Sequence, residues 1–168
     1  EYGLLSIAGG IEAGLYGADT LAGIAALDSW FARAGMIGNC NLSGSALYRL
    51  PDMHRTYLEY GFEAQNLTLG DKTLHCDYLP KSYGYGGYVN FTACRLNAVD
   101  GDVSRIFVPD DWGYEQTEFN FSDNDLPQQA VDAMLAAAAA YDSAEYGNNT
   151  LMLNGGTNAQ PSAAGMAS

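Results

Sequence analysis

The stretch "YVNFTACRL" (residues 88–96) decides how the middle of the chain is read. Val89, Phe91 and Ala93 alternate with Asn90 and Thr92, the two-residue period of a half-buried strand. On that reading the apolar side chains point inward, while Asn90, Thr92 and Cys94 point to solvent. "NLTL" (66–69) and "TEFNFS" (117–122) repeat the alternation, and "KTLHCDYL" (72–79) and "VSRIFVP" (103–109) have strand composition. Turn residues separate these segments at Gly70-Asp71, Gly84 to Gly87, Asp100-Gly101 and Asp110 to Gly113. The loop "PKSYGYGG" (80–87) reads as a hairpin connection, so an antiparallel sheet of three to five strands is expected.

Helical patterns flank this sheet. Residues 4–34 space Leu4, Ile7, Ile11, Leu15, Ala18, Leu21 and Ala25 at steps of three or four, with Ile24, Leu27, Trp30 and Phe31 widening the stripe. "RLPDMHRTYLEYGF" (49–62) reads as a second helix from about Asp52, after Pro51. "DLPQQAVDAMLAAAAAYDSAEYG" (125–147) reads as a third, with Asp125 as N-cap, an alanine run and Gly147 as the stop. The fold expected is α+β: N-terminal helices, an antiparallel sheet and a C-terminal alanine-rich helix, as one domain over 1–153. A Gly/Ala/Ser-rich tail follows over 154–168, held by the domain or by a neighbouring chain. No internal repeat is evident.

The chain has 168 residues, enough to bury a core without cysteine cross-links. It carries 20 acidic and 7 basic residues, a formal net charge of -13. That balance disfavours nucleic acid and anionic membranes and favours cationic partners or an acidic medium. No apolar run reaches a membrane-spanning length.

Asn-x-Ser/Thr acceptors stand at Asn41, Asn66, Asn90, Asn120 and Asn148. With 11 Asn and 18 Ser or Thr in the chain, independent placement would give about 1.2 of them. The excess points to N-linked glycans and a secreted, extracellular protein. Of Cys40, Cys76 and Cys94, the hairpin makes Cys76–Cys94 the first choice for a disulfide, with Cys40 free, buried or bridged to another chain.

The chemistry-bearing motifs are sparse. No G-x-S-x-G, G-x-G-x-x-G, P-loop or haem-attachment motif is present, so no catalytic residue and no cofactor is assigned. His54 and His75 lack metal-ligand spacing, so no metal site is assigned. Tyr83, Tyr85 and Tyr88 in a glycine-rich loop, with Trp112, form the candidate binding surface. The expected function is binding or self-assembly by a secreted acidic glycoprotein, its partner another protein chain or itself through Cys40, the N-terminal helix or the tail. Two alternatives stand beside it. One is a membrane-active, toxin-like protein whose Gly/Ala-rich N-terminal helix resembles viral fusion peptides in composition and contacts a bilayer. The other is a glycan hydrolase with Asp111 and Glu115 as its acids.

Overall fold

The computed structural model describes residues 5–7, 19–83, 87–107, 118–141 and 150–167, without the side chains of 5–7, 82 and 83. The strands are β1 (Leu5–Ile7), β2 (Met36–Asn41), β3 (Ala46–Leu47), β4 (Tyr57–Glu63), β5 (Thr68–Leu69), β6 (Thr73–His75), β7 (Ser82–Tyr83), β8 (Tyr88–Asn90), β9 (Ala98–Asp100), β10 (Glu118–Asn120) and β11 (Thr150–Met152). Two α-helices are described: α1 (Leu21–Ala34) between β1 and β2, and α2 (Gln128–Ala140) between β10 and β11.

Every strand pairing among the described residues is parallel. The main sheet has seven strands in the order β1-β2-β4-β8-β10-β11, with β7 also on β4. Spatial order follows chain order, and two further parallel ladders, β3-β5 and β6-β9, run beside the main one. The chain therefore winds as a β-solenoid, each coil laying a strand on the one before.

This corrects the antiparallel sheet. Alternation reports one wet face and one dry face, and a solenoid strand has both, as a hairpin strand does. The strands flanking "PKSYGYGG" form no hairpin: β6 pairs with β9 and β8 with β4 and β10, and the Lys81 N–H donates to Thr56 O at 2.8 Å beside the β4-β7 pairing. The second helix is also absent, because Tyr57–Glu63 is strand β4. Residues 5–7 of the expected N-terminal helix are strand β1, and among the described residues the first α-helix begins at Leu21, where Thr20 accepts the Gly23 N–H. Expected helix over residues 8–18 lies outside the described residues.

The rungs share one register. Cys40, Phe62, Val89, Phe119 and Leu151 form a column in the main sheet. Two positions on, the Leu42 N–H donates to Glu63 O, Ala64 to Asn90 O, Phe91 to Asn120 O and Phe121 to Met152 O. Aromatic rings join these two rows: Phe62 meets Phe91 diagonally at 5.2 Å and tilted, and Phe91 stacks on Phe121 at 5.4 Å and nearly coplanar. Two residues further, each coil turns at a left-handed residue: Gly44, Asn66, Ala93, Asp123 and Gly155 all have φ between 58° and 78°. The chain thus has an internal repeat after all. Insertions of unequal length between rungs, α2 among them, hide it from a search for a fixed period.

The left-handed turn also reverses the outward orientation of Cys94 read from the sequence. Strand β8 ends at Asn90, and the turn at Ala93 carries Cys94 into the core, where it is buried. Helix α1 covers the core with Ile24 and Phe31, and α2 with Ala130, Val131 and Met134. Pro127, not Asp125, is the N-cap of α2, while Asp125 accepts the Thr157 hydroxyl. The tail is held by the domain itself. Thr157 and Ala159 donate to Asn124 O and Leu126 O, and Ser162 N–H reaches Asp132 at 2.8 Å.

The Cys76–Cys94 disulfide is corrected too. Cys40, Cys76 and Cys94 are all buried free thiols. The pairing rested on a hairpin, but β6 pairs with β9 whereas β8 pairs with β4 and β10. Burial pushes each thiol up to about 12, away from the reactive thiolate. A thiol titration is expected to find little fast reaction in the native protein and three thiols on unfolding. A count of one would restore a disulfide.

Candidate functional site

The outward face of the main sheet carries the side chains that alternate with the buried column. Asn39 and Asn41 stand on β2, Glu63 on β4, Tyr88 and Asn90 on β8, and Glu118 and Asn120 on β10. Cross-strand register sets Asn41 beside Glu63, Glu63 beside Asn90, and Asn90 beside Asn120. A bulge places Glu59 and Tyr60 opposite the single residue Gly38.

Tyr88 lies across Gly61: a Cβ there would sit 2.8 Å from both Cδ1 and Cε1 of the ring. The glycine makes room for an aromatic platform on the sheet. Burial, and secondarily the charge of Glu63, raise the Tyr88 phenol above its ordinary value. Asn39 Oδ1, Glu59 Oε2 and Glu63 Oε1 are buried oxygens with no hydrogen-bond partner. All three are acceptors closed off from solvent.

Three of the five Asn-x-Ser/Thr sites are explained by the same register. Asn41 Oδ1 accepts the Ser43 N–H at 2.9 Å, Asn120 Oδ1 the Ser122 N–H at 3.0 Å, and Asn90 Oδ1 both the Thr92 N–H and hydroxyl, at 3.0 and 2.6 Å. Each is an Asx turn that opens the bend at the end of a rung. Asn66 instead occupies the left-handed position, which Asn tolerates better than most residues. The acceptors recur because the coil recurs, so their number is not a set of independent events. Asn148 lies outside the described residues.

The other expected site residues disperse. Tyr88 is on the ladder, but Tyr85, Trp112, Asp111, Glu115 and the side chain of Tyr83 lie outside what is described. His54 is exposed and bonded to Asp52. His75 sits between two carboxylates, Nδ1 2.7 Å from Asp100 and Nε2 2.9 Å from Asp71, across the β6-β9 ladder. Glu59, Glu63 and Asn39 carry no motif of their own in the sequence; the available signal is the equal placement of Asn41, Asn90 and Asn120 three residues before the turns at Gly44, Ala93 and Asp123. Among the described residues no group of three or more His, Cys, Asp or Glu is arranged to hold a metal ion, and no helix is long and apolar enough to cross a membrane.

The Asp71 carboxyl is partly buried, which raises its pKa, but the bond from His75, the Thr73 N–H and the His75 charge bring it below its ordinary 3.8. Its folded value is depressed, so its contribution is present above 3.8 and is lost as pH falls through the lower folded value. Thermal melts are therefore expected to show a shallower stability loss below about pH 4 for Asp71→Asn than for the parent. Parallel acid limbs would contradict this.

No protein-family model, curated protein or solved structure matches this chain.

Proposed function

We propose that this chain is an extracellular, acidic β-solenoid that acts by binding or self-assembly through the outward face of its main sheet. The observation that carries this reading is the in-register ladder itself. It holds Tyr88 over Gly61 and sets Asn41, Glu63, Asn90 and Asn120 side by side on one rigid face. Rigid, evenly spaced side chains lose little entropy on binding, which suits recognition of an extended partner. The Glu63 and Glu118 carboxylates on this face and the net charge of -13 favour a cationic partner.

Helix α1 gives Ile24 and Phe31 to the core, which speaks for a packing role of residues 21–34 over bilayer insertion. Binding is tested by screening immobilised lysine-rich peptides and neutral oligosaccharides against the parent and Tyr88→Ala/Glu63→Gln. Loss of a hit by tenfold or more in the variant supports the face; equal binding by both proteins contradicts it. Light scattering tests assembly, and a clean monomer at every concentration would end that half of the reading.

A further inference from the structure

We propose that Asn66 is the position of this chain built to carry an N-linked glycan, and that Asn90 and Asn120 cannot both carry one in the folded protein. The inference rests on the extracellular reading and adds which acceptors the fold can use.

Asn66 is exposed at the apex of a coil turn. Its equivalents on the two neighbouring coils are Gly44 and Ala93, because the Gly44 N–H meets Gln65 O and the Asn66 N–H meets Thr92 O. Neither neighbour has a side chain beyond a methyl. A Cβ built on Gly44 meets nothing within 4 Å, so the space beside Asn66 is open. Thr68, the hydroxyl residue of this acceptor, is exposed on β5. Asn66 supplies a backbone conformation to the turn, and no side-chain hydrogen bond of Asn66 is found among the described residues.

Asn90 and Asn120 differ on each count. Both are half-buried, both hold an Asx turn through Oδ1, and they are direct register partners. Paired strands lie about 4.8 Å apart, less than the width of one sugar ring with its hydration. Two glycans leaving adjacent rungs in the same direction would overlap from the first sugar. The outer neighbours, Glu63 beside Asn90 and Met152 beside Asn120, close the remaining sides.

The step is transfer of an oligosaccharide from a lipid diphosphate. The amide Nδ2 forms a bond to the anomeric carbon, the anomeric carbon–oxygen bond to the diphosphate breaks, and one amide proton leaves to a base. Transfer takes place on the entering chain, so the fold acts afterwards by excluding chains whose glycans it cannot accommodate.

The test expresses the full chain behind a signal sequence in a eukaryotic secretory host. Acceptors are removed at their hydroxyl residue, which keeps every Asn in place. In the parent, site-resolved mass spectrometry is expected to find Asn66 occupied in most molecules, and Thr68→Ala to remove one glycan mass. In Ser43→Ala/Thr68→Ala/Thr150→Ala, only the Asn90 and Asn120 acceptors remain, and soluble, protease-resistant product is expected to carry no more than one glycan. An empty Asn66, or soluble folded product with two glycans in the triple variant, overturns the inference. Native material without glycan, beside host-made protein glycosylated at Asn66, would contradict the extracellular reading and leave the site assignment standing.

Discussion

Asn124→Ala is expected to lower stability by about 3 kcal/mol in urea unfolding, although Asn is ordinarily a surface residue. Asn124 is fully buried. Its Nδ2 donates to Phe91 O at 2.8 Å, Phe121 O at 3.0 Å and Ser122 O at 3.3 Å, and its Oδ1 accepts the Leu96 N–H at 3.0 Å. One side chain therefore ties the turns of two coils where the backbone leaves the ladder. Alanine would strand the Leu96 N–H and Phe91 O in an apolar interior, each at a cost of about 1–3 kcal/mol, while Phe121 O keeps the Asn158 amide and Ser122 O the Ala93 N–H. Asn124→Asp is expected to be worse near neutral pH, since a carboxylate would face those carbonyls. A loss below about 0.5 kcal/mol would show that the coils are held without this bridge.

Phe91→Ala carries the second large effect, about 3–5 kcal/mol. Phe91 is fully buried between Phe62 and Phe121, so truncation opens a cavity on both sides of one rung. The stack is continuous across three coils, and the loss should couple to its neighbours. Phe91→Ala and Phe121→Ala together are expected to cost less than the sum of the single variants, because the second truncation removes a side chain already facing a void. Strict additivity would mean that the rings do not form one column.

The inward faces of these rungs are legible in the sequence. Val89, Phe91, Phe119 and Phe121 read as inward and are buried. Strand direction was not legible, because a three-residue strand with one wet face looks the same whether its partner runs up or down. The turns hid for a related reason. Gly44, Asn66, Ala93, Asp123 and Gly155 do one backbone task with four residue types, and Ala93 gives no sign of a left-handed bend. That bend decides where Cys94 goes, and with it the fate of the expected disulfide. Tyr57–Glu63 was drawn into a helix by Pro51 and Asp52, and ladder pairing on both sides overrides that local signal.

For the candidate site, Tyr88 and the asparagine acceptors were visible as residue types. Their common surface was not, since the loops between rungs vary in length. Asn90 and Asn120 become neighbours, and Glu63 joins them, only through the register of the solenoid.

The parallel, in-register ladder is the claim on which the binding face, the Asx-turn account of the acceptors and the glycan assignment all depend. Backbone nuclear Overhauser contacts on isotope-labelled protein test it most directly. The expected result is contacts linking residues 88–90 to 118–120, and 118–120 to 150–152, with partner numbers rising together along the chain. Contacts whose partner numbers run in opposite directions, or a close approach of residues 72–79 to 87–96 as a hairpin, would contradict it.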